Sequence, residues 1–252
     1  MFVRHADCSE HRYTAWLVPP SPVITRSLVS DQVFRSLCDG IVSGVYAPGE
    51  KLPTQRALAA DLGVNMASVR EAVKRLEQLG LVEVRHGDAM RVRDWRAEGG
   101  LDVVVHLLFA AGRLDRSILA AVLEARRLML VEAARLAAGR RTEAEAGRLA
   151  ELAGRIAVEQ DPGAAQLLDL AFMTELVEAS GNVVFVLILN TVRRIYLDHA
   201  SLFGAVVADH RELAPLYRRA ATAIDGKAGS RAASAVARLA GEQERRMLEA
   251  LG

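Results

Sequence analysis

Two arginines, Arg56 and Arg70, stand near the fronts of two consecutive short segments with helical spacing. A guanidinium on an exposed helix face can hold a phosphate oxygen or pair bidentately with a guanine edge. Taken alone, the two arginines read equally as part of a solvated helix face. Catalytic constellations are missing from the sequence: there is no Ser, His and Asp grouping, no glycine-rich phosphate loop and no cysteine pair at catalytic spacing. An enzyme is therefore not expected. Cys8 and Cys38 are too few and too far apart for a disulfide framework or a zinc finger, and read as thiols of a reducing cytoplasm.

Bulk charge adds nothing to the nucleic-acid reading. The chain of 252 residues carries 32 Lys and Arg against 31 Asp and Glu. Between Arg26 and Arg96 there are 11 basic and 9 acidic residues, so a DNA-binding surface must arise from arrangement. No apolar run approaches the length of a membrane span, and Val183 to Leu189 is among the longest. Met1 to Pro22 lacks the apolar core of a signal peptide, and residues 1–25 are expected to form a disordered or extended segment. A cytoplasmic protein with no membrane partner is expected.

The elements that position the arginines follow from periodicity and punctuation. Ser27 to Ser43 repeats apolar residues at Val33, Leu37, Ile41 and Val42, a helical pattern. Thr54 to Leu62 reads as a short second helix, opened by Pro53 and closed by Gly63. Asn65 is a suitable N-cap for a third helix from Met66 to Leu79, which Gly80 stops. Leu81 to Arg85 and Met90 to Arg93 then alternate with the strand period around a turn at His86 to Ala89. Three helices followed by a hairpin make a winged helix-turn-helix.

From Leu101 onward Ala, Leu, Arg and Glu dominate. Helices are expected over 101–112, 115–139, 142–159, 163–179, 183–205, 209–225 and 228–250, broken at glycines, Pro162 and Ser180 to Asn182. The fold class is mainly α: a winged helix-turn-helix at 26–94, a linker at 95–100, and an antiparallel α-helical bundle at 101–252.

The first half closely resembles the GntR family of bacterial transcription regulators. The resemblance runs through Pro48-Gly49, Leu52-Pro53, Arg56, Leu58-Ala59, Leu62 to Asn65, Ser68 to Ala72 and Leu79-Gly80. It implies a recognition helix whose N-terminal end enters the major groove. Arg56, Asn65, Met66, Ala67, Ser68 and Arg70 would then face DNA, and His86 with Gly87 on the wing would approach the minor groove. Asn65 and Ser68 suit plain capping equally well. Met66 departs from the family, which usually carries a second arginine there. Regulators of this kind read palindromic operators as two-fold dimers, so a homodimer is implied.

The second half resembles the helical FCD effector domain of the FadR subfamily, through Glu124 to Arg126, Asp169 to Phe172, Ala179 to Asn182 and Asn190 to Tyr196. FCD domains commonly bind a metal through one Asp and three His. The resemblance puts the Asp at Asp169 but the histidines at Met173, Tyr217 and about Leu239. No metal and no cofactor is therefore expected, and His199 and His210 lie away from the motif positions.

The stretch Ser180 to Tyr196, the linker from Trp95 through Gly100 to Val104 and the loss of the metal ligands are similar to the acyl-CoA-responsive, fatty-acid regulators of that subfamily. The expected effector site is apolar: Leu130, Met173, Leu187 and Tyr217 line it, Arg126 and Asp169 form its polar end, and Asn190, Arg193 and Glu242 complete it. Arg193, Arg194, Arg218 and Arg219 would meet CoA phosphates at the mouth of the bundle, whereas Gln243 and Met247 do not match. The alternative is a regulator sensing a small carboxylate through a metal-containing pocket.

Overall fold

The computed structural model describes residues 29–84, 90–207 and 209–251. The expected N-terminal segment 1–25 and the wing residues His86 and Gly87 lie outside them. The described chain is mainly helical, with one two-stranded antiparallel hairpin.

The DNA-binding half is built from α1 (Val29–Val42), α2 (Gln55–Asp61), α3 (Met66–Gln78), β1 (Val82–Glu83) and β2 (Arg91–Val92). Helix α1 buries Val33, Phe34, Leu37, Cys38 and Ile41, and α3 buries Val69, Ala72, Val73 and Leu76. Both sets fall at i, i+3, i+4 and i+7 or beyond, so each helix turns one stripe to a shared core. Thr54, not Pro53, caps α2, its hydroxyl accepting from the Ala57 amide at 3.2 Å. A hydroxyl can accept that bond where a pyrrolidine cannot. In the hairpin Val82 faces Val92 and Glu83 faces Arg91, and Lys51 bridges to Arg91 on the outer side.

Gly80 turns the chain from α3 to β1 with φ of 69°, a left-handed conformation, and a Cβ there would stand 3.1 Å from the Glu98 carbonyl oxygen. Gly80→Ala is expected to destabilise the winged helix by about 1–3 kcal/mol, since strain and a backbone clash add. Urea unfolding followed by circular dichroism measures it.

The stretch expected as a linker holds a helical turn, α4 (Trp95–Glu98), capped by Asp94. Trp95 packs against the winged-helix core, and that core also takes in Val103 and Leu107. The His106 imidazole meets Phe34 edge-on at 5.1 Å between ring centres, while the Arg75 guanidinium covers the same Phe34 ring at 4.1 Å. Burial first, and the Arg75 charge second, hold the His106 imidazole below its ordinary pKa.

The helix expected over 101–112 is split into a 3₁₀ turn (Leu101–Val103), α5 (Val104–Leu108) and a second 3₁₀ turn (Ala110–Gly112). The backbone leaves the helical region at Phe109, with φ of −119° and ψ of 30°. The helical half follows as α6 (Arg116–Arg140), α7 (Glu143–Val158), α8 (Pro162–Ala179), α9 (Val183–Asp198), α10 (Ala200–Phe203), a 3₁₀ turn (Gly204–Val207), α11 (His210–Asp225) and α12 (Gly229–Ala250). The helix expected over 183–205 stops at His199 (φ −125°, ψ 36°), whose ring stacks on Phe109 at 3.9 Å. That contact joins the two unexpected breaks. Alanines 133, 134, 137 and 138 of α6 are wholly buried and let α12 pack closely along it.

Candidate functional sites: the recognition surface and the centre of the bundle

The front of α3 is prepared by its cap. Asn65 Oδ1 accepts from the Ser68 amide at 2.8 Å, so these two residues do have a capping role. The Met66 and Ala67 amides precede the first full helical bond and have no partner within the helix. Ala67 and Arg70 are exposed, as is Arg56 on α2. Among the described residues neither arginine is held in an ion pair. Met66 is half-buried and packs against the winged-helix core. Its side chain therefore turns partly inward, where an arginine could not go without cost.

At the centre of the helical half four polar residues from four helices converge. Asp169 of α8 is buried, and Tyr217 of α11 and Gln243 of α12 are fully so. The Tyr217 hydroxyl donates to Asp169 Oδ1 at 2.6 Å. Gln243 Nε2 reaches the same oxygen at 2.8 Å and the Tyr217 hydroxyl at 2.8 Å. Arg126 of α6 donates through Nη2 to Gln243 Oε1 at 3.0 Å and lies 4.0 Å from Asp169 Oδ2. Burial, and then the Asp169 charge, push the Tyr217 phenol well above its ordinary pKa, so it stays a neutral donor.

This donor set does not fit the metal of the FCD pattern. Asp169 already receives hydrogen bonds, and around it stand a phenol, a carboxamide and the Met173 thioether, with no imidazole. The expected third position also shifts. Leu239 lies in the apolar core, and Gln243, one turn later on the buried stripe of α12, makes the contact. His199 stacks on Phe109, and His210 binds the Glu159 carbonyl at 2.9 Å. Among the described residues no three His, Cys, Asp or Glu side chains form a cluster able to hold a metal ion.

Beside the network lies a cavity of about 20 Å³, walled by Arg126, Asp169, Leu170, Met173, Leu189, Val192, Arg193 and Tyr196. Arg126, Asp169, Met173 and Arg193 are thus brought together at one cavity. Leu130 is not there: it is wholly buried in the bundle core. Leu187 points to solvent, 61% exposed, because Leu189 two residues on takes the inward face of α9. Tyr217 belongs to the network behind the cavity and not to its wall. Asn190 is half-buried and outside the lining.

Glu242 is on another face altogether. It borders an open groove of about 450 Å³ between α11 and α12 and pairs with Arg245 and Arg246, because adjacent helical residues diverge by roughly 100°. Those arginines hold the Glu242 carboxyl down at about 2. Of the arginines expected at CoA phosphates, Arg218 and Arg219 are exposed on α11, and Arg194 pairs with Asp102 at 3.4 Å.

Sequence reasoning missed Gln243 and Tyr196 as site residues. A glutamine on an otherwise apolar stripe was the available signal for the first; Tyr196 closed a motif stretch but offered no cue to its burial.

Two family models match: "Bacterial regulatory proteins, gntR family" over residues 29–92 and "FCD domain" over residues 121–242. The chain is 37% identical to the HTH-type transcriptional regulator Mce2R of Mycobacterium tuberculosis over 201 residues, 80% of this chain and 84% of that one. It is 29% identical to the fatty acid metabolism regulator protein of Serratia proteamaculans over 164 residues, 64% of this chain and 66% of that one. The solved structure of Lar from Listeria monocytogenes shares the fold, with a TM-score of 0.52 at 15% identity, covering 87% and 96% of the two chains. No helix among the described residues is long and apolar enough to cross a membrane. The chain belongs to the GntR family of DNA-binding transcription regulators, with an FCD domain as its helical half, and its family and relatives are regulators and not enzymes.

Proposed function

We propose that the protein binds a palindromic operator as a homodimer and that a ligand held in the helical half changes its affinity for DNA. The observation that carries the reading is the pair of exposed guanidiniums, Arg56 and Arg70, beside a capped recognition helix whose first amides are open to a phosphate. The dimer is supported by apolar side chains left outside: Leu128 on α6 and Val183, Val184 and Leu187 on α9 are all more than half exposed. Large apolar residues left uncovered, three of them on α9, suit an association surface.

A long-chain acyl-CoA is the first ligand to test, on the likeness to the Serratia fatty acid regulator. The cavity of about 20 Å³ is far below the several hundred Å³ of ordinary ligand pockets. An acyl chain therefore requires the core to open. A small carboxylate is the second reading, favoured by the size of the cavity and by its two arginines; the metal-chelating form of that reading would need imidazoles, and none lines this cavity.

Selection of bound sequences from random DNA, with mass measured by light scattering, tests the proposal. The expected result is a two-fold symmetric sequence bound by a dimer, with Leu187→Glu shifting the mass toward the monomer. Asymmetric selected sites, or a monomer at micromolar concentration, overturn the dimer. An unchanged operator affinity on adding oleoyl-CoA overturns that ligand.

A further inference from the structure

The structure assigns Ala67 as a base-reading residue whose methyl group meets the 5-methyl of a thymine in the major groove, fixing one A·T position in each operator half-site. The inference rests on α3 being the recognition helix, and names the base chemistry that its front reads.

The outward face of α3 is centred on Ala67. At about 100° per residue, the buried Val69, Ala72, Val73 and Leu76 gather on one side of the helix, and Ala67 falls almost opposite their midpoint. Arg70 and Lys74, both exposed, continue the same outward line one and two turns further on. Met66 lies on the flank, half-buried against the winged-helix core, and its thioether donates no hydrogen bond. Asn65 Oδ1 is occupied by the Ser68 amide at 2.8 Å. Within the first turn, Met66 to Val69, Ala67 alone is exposed. Where the chain departs from the arginine usual at Met66, the front of the helix thus turns a methyl group outward.

A recognition helix enters a groove about 12 Å wide with its front end toward the base edges. An alanine there lets the backbone come close, yet it neither donates nor accepts a hydrogen bond. Against a purine N7 or a cytosine amino group it would strip water from a polar atom and leave that atom without a partner. The thymine 5-methyl is the apolar group on these edges, and two methyl groups in contact both leave water. Ala67 and Arg70 are about 4.5 Å apart along the helix axis. At about 3.4 Å per base step, the thymine belongs within about two base pairs of the base that Arg70 reads.

Full-length protein is used to select sites from random DNA, and each thymine of the selected half-site is then replaced singly by deoxyuridine. That exchange removes the 5-methyl while keeping the base pair and the minor groove. Fluorescence anisotropy is the readout. One thymine is expected whose exchange weakens binding about fourfold, the value of one buried methyl. Ala67→Gly should bind the thymine and deoxyuridine duplexes alike, whereas Met66→Ala should keep the ratio. At the same position the parent should prefer 5-methylcytosine to cytosine, and Ala67→Gly should not. Each comparison is a ratio taken on one protein, so any loss of helix stability caused by the glycine cancels.

A half-site in which no thymine responds to deoxyuridine overturns the inference, as does a response that survives Ala67→Gly or disappears in Met66→Ala. Asymmetric selected sites with a methyl effect lost in Ala67→Gly would support it and defeat the proposed dimer. A symmetric operator bound by a dimer with no methyl effect would do the reverse.

Discussion

Arg70→Ala is expected to weaken operator binding about 5- to 150-fold, corresponding to about 1–3 kcal/mol for one lost base contact. Arg70 is exposed on α3, roughly 100° around the helix from Val69, and so stands beside the stripe of Val69, Ala72 and Val73, which are all but fully buried. No ion pair among the described residues would have to break before it met DNA. Its removal should therefore leave folding intact while base discrimination at one operator position relaxes. For Arg56, one helix earlier, we propose a contact with the phosphate backbone, and Arg56→Ala should lower affinity uniformly across sequences and reduce the salt slope by about 1. Fluorescence anisotropy against the selected operator and single-base variants, at several salt concentrations, distinguishes the two. An Arg70→Ala protein within twofold of the parent on every sequence would remove Arg70 from the recognition surface.

The second large effect concerns stability. Asp169→Ala should cost about 3–5 kcal/mol, the penalty for breaking a buried charged network by deleting one partner. The substitution leaves the Tyr217 hydroxyl and the Gln243 amide without the acceptor they share, and leaves the Arg126 charge, only 11% exposed, without its counter-ion. Tyr217→Phe removes one donor and keeps the ring against Phe172, which it meets edge-on at 5.1 Å. Its expected cost is about 1–2 kcal/mol. Denaturant unfolding of the three proteins gives the ranking, and equal stabilities for the parent and Asp169→Ala would show that the network contributes nothing. Because four helices contribute, the Asp169→Ala protein should also show faster amide exchange in α8, α11 and α12 together.

The boundaries of most elements were legible because each depends on a few adjacent residues. Asn65 and Ser68 close an N-cap, Thr142 and Glu145 form a capping box on α7, and Asp161 with Pro162 opens α8. The two breaks that were missed, at Phe109 and His199, have no local punctuation. They stack on each other across ninety residues of chain, and a ring contact of that kind leaves no mark on the spacing of apolar residues.

What the amino-acid order by itself determined is the winged helix, with Arg56 on α2 and Arg70 on the capped α3, and a helical half with Met173, Tyr217 and Leu239 where the metal pattern has histidines. Helix stripes, caps and turns are short-range properties, and residue types are visible without coordinates. Only the tertiary structure decided which polar residues meet. Asp169, Tyr217 and Gln243 are separated by 48 and 26 positions along the chain, and their contact depends on how α8, α11 and α12 are rotated about their axes. The same rotation turned Leu189 inward and Leu187 outward, buried Leu130 beyond the cavity, and moved the third position of the expected metal pattern from Leu239 to Gln243. One residue along a helix is a turn of roughly 100°, so a stripe known only to within a residue cannot say which side chain faces a cavity.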